Sequence, residues 1–191
     1  MLHGRWYPTC VTMHDGRILT INGFDEYGSA NRLLEIYDPS SDTWSISYDP
    51  GSSVTYCVGF NAVDTCEGAG SPCYGGPSMG VAPNIGLYPR MHLLPNGKIS
   101  TCGMHRPIRT YDPFTQRWST VGEMSTYRHY GPTFLLPFDN NETVKGKILV
   151  AGGSPNSTSI STNGAEIIDY DASSTDSPVP NSEIPSNAGS V

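Results

Sequence analysis

The chain has 191 residues, among them 21 glycines, 16 prolines and 11 tyrosines, and only 15% of it is charged. The net charge is −7 and Lys and Arg are scattered singly, which argues against a nucleic-acid partner; no apolar run is long enough to cross a bilayer as a helix. Abundant turn-forming residues and scarce Lys and Glu point to many short strands joined by tight turns, an all-β chain.

The first predicted unit spans residues 1–47. An apolar segment from Val11 runs into Asp15-Gly16, and a second, more apolar one covers Ile18–Ile21 and ends at Asn22-Gly23. A third ends in Tyr37-Asp38-Pro39, and Trp44 follows. Asp-Gly between apolar segments predicts a type I′ hairpin, in which both central residues take positive φ. Asp38 is placed to open the next turn through its side chain. The start of the chain has no apolar core of a signal peptide, so a secretion signal, if used, lies outside this sequence.

Residues 48–86 break the pattern. They hold Cys57, Cys66 and Cys73 in Gly-rich surroundings with little apolar material. This stretch reads as a surface insertion stapled by a disulfide, which implies an oxidising compartment; loose thiols or a weak metal site are the alternatives. A second unit, residues 87–127, repeats the first: Tyr88-Pro89, Asn96-Gly97, Tyr111-Asp112-Pro113 and Trp118. A third, residues 128–171, has Tyr130, Gly146, Gly152-Gly153 and Tyr170-Asp171. Asn141 and Asn156 begin glycosylation sequons in predicted loops. Residues 172–191 are rich in Ser and Pro and read as a loop or tail.

Gly16 and Gly97 lie 81 residues apart, and Gly97 and Gly146 lie 49 apart. The second interval matches the kelch repeat of about 50 residues, and the insertion lengthens the first. A four-stranded meander cannot bury both faces alone, but radial stacking buries them. The expected fold is therefore a kelch-like β-propeller fragment of about three four-stranded antiparallel blades. Open blade edges would invite assembly with other subunits.

Three stretches resemble the copper radical oxidases, the galactose oxidase and glyoxal oxidase family. They are Arg5-Trp6-Tyr7-Pro8 with Asp15-Gly16-Arg17, Tyr88-Pro89 with Leu93-Leu94-Pro95-Asn96-Gly97, and Lys147-Ile148-Leu149-Val150-Ala151-Gly152-Gly153. The resemblance implies a propeller in which Tyr7 is a copper ligand, cross-linked to a Cys outside this chain, and carries the catalytic radical. It also implies a second Tyr and two His in later blades, and a small alcohol, aldehyde or carbohydrate substrate oxidised with formation of hydrogen peroxide. The intact parent would be secreted. The family stacks an aromatic on the cross-link, and Phe24 and Tyr27 are the nearest candidates by sequence.

Each residue also has a plainer reading. Tyr88 and Tyr130 occupy positions like that of Tyr7, so an aromatic there can be blade packing. Cys10 reads as a small buried residue sharing a strand face with Thr12. His14 should be exposed beside its turn, His92 packed against a neighbouring blade, and His105 and His129 near strand ends that a ligand could reach. Tyr37, Trp44, Tyr111 and Trp118 read as inter-blade packing. The two functional readings are a copper radical oxidase-like protein and a non-catalytic extracellular propeller serving binding or assembly.

Overall fold

The computed structural model describes residues 1, 3–47, 56–57, 73–74, 85–137, 146–155 and 161–170. The regular structure of the described residues is entirely β, in three antiparallel sheets and one two-stranded antiparallel pair. The first sheet contains β1 (Thr9–Thr12), β2 (Ile18–Ile21), β3 (Glu35–Asp38) and β4 (Thr43–Ile46) in sequential order. The second contains β7 (Arg90–Leu93), β8 (Ile99–Cys102), β9 (Pro107–Asp112) and β10 (Arg117–Glu123), again a meander. The third contains β11 (Thr133–Leu135), β12 (Lys147–Ala151) and β13 (Ala165–Asp169). These are three successive blades of a kelch-type propeller. Between the first two, β5 (Tyr56–Cys57) pairs with β6 (Cys73–Tyr74), and the register sets Cys57 opposite Cys73. Cys66, Asn141, Asn156 and the tail lie outside the described residues.

The blades are held by apolar layers between their faces. Met13, Leu19, Ile21, Leu34 and Ile36 of the first blade pack with Ile85, Met91, Ile99 and Tyr111 of the second. Leu94, Cys102, Ile108 and Met124 of the second pack with Ile148, Val150 and Ile168 of the third. Most are fully buried, and each large side chain contributes about 1.5–3 kcal/mol of transfer free energy. Strand alternation produces these layers: Leu19 and Ile21 face the next blade while their neighbours face the other way.

Several expectations change on contact with the structure. The Asp15-Gly16 and Asn96-Gly97 turns are hairpins but not type I′. Met13 N donates to Arg17 O and Gly16 N to Met13 O, and Leu94 and Gly97 repeat the pattern with Lys98. Within these loops only Gly16 (φ 85°) and Gly97 (φ 80°) take positive φ. This is the three-residue loop, a type I turn closed by a glycine bulge. In the second blade Pro95 favours this choice, because it has no N–H with which to close a two-residue turn on Asn96-Gly97. Asp15 and Asn96 accept the amide hydrogens of Arg17 and Lys98 instead (3.1 and 3.0 Å). Asp38 and Asp112 open their turns as expected, accepting from Ser40 N and Phe114 N at 2.9 Å.

Cys10 is exposed rather than buried, since the face of β1 that it shares with Thr12 points away from the second blade. Tyr37 and Trp44 pack against each other across the ladder with tilted rings, centroids 5.1 Å apart, and stay half-buried on that same outward side. Their counterparts Tyr111 and Trp118 do pack between blades: Tyr111 is fully buried and its hydroxyl bonds the Ser47 hydroxyl of the first blade.

Candidate functional site

The end of each blade where the first strand begins and the second ends gathers the unusual backbone and the aromatic side chains. Tyr7, Tyr88 and Tyr130 precede the first strands of the three blades, and all three take left-handed backbone (φ 65°, 49° and 61°). Such φ in a bulky residue costs about 1–2 kcal/mol. Its recurrence shows that the chain needs this bend each time it enters an inner strand. Tyr88 N donates to Tyr7 O at 3.1 Å, joining the first two blades there. Arg128 N donates to Gly103 O at 3.1 Å and joins the second and third.

A buried ion pair supports two of these bends. Arg5, two residues before Tyr7, donates to Glu35 Oε2 through Nε and Nη2 (2.9 and 2.7 Å), with both side chains fully buried. It also donates to the carbonyls of Asn22 (2.9 Å) and Leu33 (2.8 Å). Arg128, two residues before Tyr130, donates to Glu166 at 2.9 Å and to the carbonyls of Gly152 and Gly164. The backbone bridges Trp6–Phe24 and His129–Ser154 sit at matching places. Arg5 and Arg128 thus clamp the end of the second strand to the start of the third. Gly23 is required beside this clamp: a Cβ on it would lie 2.6 Å from Trp6 O.

Tyr7 differs from its counterparts in its flanks. Its ring stacks on Trp6 (centroids 4.2 Å apart, planes at 28°) and lies 4.6 Å from Tyr88. Phe24 touches Trp6 at 6.5 Å and Tyr27 is exposed, so Trp6 and Tyr88, rather than the two residues expected from sequence, flank Tyr7. Tyr130 is exposed, with no ring contact among the described residues. The Tyr88 phenol is held above its ordinary pKa by partial burial and by Tyr7.

A second group lies between the second and third blades at the same end. His105 follows β8; Tyr127 and His129 precede β11. The His105 and His129 rings are 6.1 Å apart edge to face, and Tyr127 stacks parallel to His129 at 5.8 Å. Burial lowers the pKa of His105, and the positive fields of His129 and Arg109 add to the effect. His92 lies deeper, its Nε2 2.7 Å from Thr133 Oγ1 of the third blade, and burial lowers its pKa too. This is the packed position expected of it. His14 is exposed and its ring lies tilted against Phe114, centroids 4.8 Å apart.

The described residues do not make a copper centre by themselves. Among them no three His, Cys, Asp or Glu side chains gather as metal ligands. Their free cysteines are Cys10, bonded to Thr20 Oγ1, and Cys102, buried between blades with its thiol pushed up to about 12. The rings against Tyr7 are the Trp6 indole and the Tyr88 phenol, not imidazoles.

These features define a kelch-type propeller segment with an aromatic-lined loop end. A kelch motif matches residues 5–47, the first blade and the approach to it. Among solved structures, the chain is similar to a fungal alcohol oxidase of the AA5 family in complex with copper, at 22% identity and a TM-score of 0.58. The match covers 88% of this chain and 30% of that one, so the chain spans less than a third of its structural relative. No curated protein matches the sequence. The shared feature is the fold.

Proposed function

We propose that this chain forms part of a secreted copper radical oxidase-like protein. Such a protein oxidises a small primary alcohol, an aldehyde or a carbohydrate and reduces dioxygen to hydrogen peroxide. The observation that supports the reading is the setting of Tyr7. Its phenol stands between Trp6 and Tyr88 at the loop end of a fold shared with a copper-bound alcohol oxidase. A phenol is the side chain for this role because it is itself oxidisable and binds Cu(II) as phenolate, with its pKa lowered from about 10 by the metal. Copper would supply the one-electron and oxygen chemistry. The described residues do not complete that centre. The reading assigns the imidazole ligands, the second Tyr and the cross-linking Cys to the remainder of the whole protein.

The test uses the whole protein loaded with Cu(II). The oxidised form should show a tyrosyl-radical absorption band and make peroxide from an alcohol or aldehyde. Tyr7→Phe, which keeps the stacked ring, should abolish both while still folding. Bound copper with no radical band, or a Tyr7→Phe protein that still makes peroxide, overturns the reading.

One observation favours a second reading, a non-catalytic extracellular binding module. Trp6, Tyr127 and Tyr130 are exposed at the same loop end, and aromatic faces bind apolar sugar surfaces without a metal. Sugar binding by a protein that makes no peroxide with copper would support it.

A further inference from the structure

The second blade reverses the charge of the buried clamp. Counting from the hairpin glycines, Thr20, Thr101 and Val150 stand at the same point of their second strands. The residues paired with them on the third strands are Glu35, Arg109 and Glu166. Two blades thus place a carboxylate there, facing an Arg from the segment before the first strand. The second blade places an Arg there, and the position matching Arg5 and Arg128 is Gly86. A side chain there would be strained, because Gly86 takes φ 75° and a Cβ on it would fall 2.5 Å from Met104 Sδ, which would have to move.

Arg109 is left without the counter-charge that its counterparts have. Its Nη1 is buried and makes no hydrogen bond, and it forms no ion pair within the described residues. Burial alone lowers its pKa, with no carboxylate acting to raise it. Arg109, His105 and Arg90 line one depression under the β8–β9 loop, whose enclosed part of about 10 Å³ accommodates a single oxygen-sized group. Arg90 is occupied by the carbonyls of Tyr88 and Gly131, so it adds positive potential and leaves Arg109 as the donor.

We propose that Arg109, together with His105, binds a small carboxylate at the loop end of the second blade. One carboxylate oxygen enters the enclosed space and accepts from Arg109 Nη1, completing from outside the ion pair that Glu35 and Glu166 complete from within. A carboxylate suits the site because a guanidinium donates to it in a planar, charge-assisted geometry. The His105 imidazole, drawn toward its protonated form by the arriving anion, becomes a second donor. This site is separate from Tyr7 and does not depend on copper.

Acetate is titrated into the full chain at constant ionic strength, balanced with sodium chloride, while the ring resonances of His105 are followed by NMR. A saturable shift is expected, and Arg109→Gln should weaken it by about tenfold or more, the loss of one charge-assisted hydrogen bond. Arg117→Gln, an exposed arginine on β10, should titrate like the wild type. Without acetate, Arg109→Gln should melt no lower than the wild type, since the buried Nη1 it removes is unpaired. If Arg109→Gln does not accumulate, Arg109→Lys keeps the charge, loses the planar fork, and should bind several-fold more weakly. An absent or non-saturating response in the wild type, or an equal one in the Arg109 variants, overturns the proposal. A stronger saturable response to phosphate overturns the assignment of a carboxylate.

Discussion

Glu35 offers the sharpest test of how the blades hold together. Its carboxylate and the Arg5 guanidinium are both fully buried, joined by bonds of 2.9 and 2.7 Å. Glu35→Ala would leave the guanidinium sealed from water, bonded to the carbonyls of Asn22 and Leu33 but without the Glu35 carboxylate. Removing one partner of a buried pair costs about 3–5 kcal/mol, against a total stability of about 5–15 kcal/mol for a typical domain. With a urea slope of about 2 kcal/mol per molar, the unfolding midpoint should fall by about 2 M. The double variant Arg5→Met/Glu35→Leu removes both charges and should recover most of that loss, because two apolar chains avoid the desolvation penalty altogether. Urea unfolding followed by tryptophan fluorescence measures all three proteins. A Glu35→Ala midpoint within about 0.5 M of the wild type at unchanged slope would refute the reasoning, since it would mean that water reaches Arg5.

Gly23→Ala should destabilise by about 2–4 kcal/mol, because its Cβ meets the immovable Trp6 carbonyl at φ 91°. Gly16→Ala has equally positive φ but open space, so thermal melts should show a loss of only about 1–2 kcal/mol. Peptide mapping after native iodoacetamide treatment near pH 8 should find Cys10 modified and Cys102 spared, since a buried thiol pushed up to about 12 offers almost no thiolate; modification of Cys102 at the same rate would contradict the packing of the second and third blades. His92 has its folded pKa lowered by burial, so the unfolded chain binds the proton more readily. Its contribution is therefore complete above the unfolded value of about 6.5 and is lost as pH falls from there toward the folded value. His105 is shifted in the same direction, so His92→Gln should flatten the fall in melting temperature between about pH 7.5 and 5.5 only in part; an unchanged slope would show that His92 is solvated.

The blades were legible because each rests on local chemistry. Asp15-Gly16 and Asn96-Gly97 mark hairpins whatever the turn type, and Tyr-Asp-Pro marks the end of a third strand. In the second blade the turn type was missed because the dipeptide was weighed without Pro95, which has no N–H to close a two-residue turn on Asn96-Gly97. The stacking partners of Tyr7 were missed for a different reason. Tyr88 lies 81 residues away and meets Tyr7 only because two blades share a seam. No periodicity within one blade carries that information. The buried clamp could have been found: just ahead of a first strand, Arg-x-Tyr occurs at Arg5 and again at Arg128, each followed by a Glu on a third strand, whereas Arg109-Thr110-Tyr111 lies inside β9.

That recurrence changes what the Arg-x-Tyr motif means here. In the first and third blades its arginine is a structural clamp, and its tyrosine takes the same left-handed bend. Ahead of a first strand the motif therefore marks a blade seam and would be present in a propeller with no chemistry. What separates Tyr7 from Tyr130 is the company of its ring, Trp6 on one side and Tyr88 on the other, against an exposed phenol in the third blade. A redox role needs a ring whose oxidised form is shielded and stabilised by neighbours, and only the first of these tyrosines has them. By the same logic the second blade, which lacks the clamp and exchanges Glu for Arg109, is free to use that position for a ligand rather than for its own cohesion.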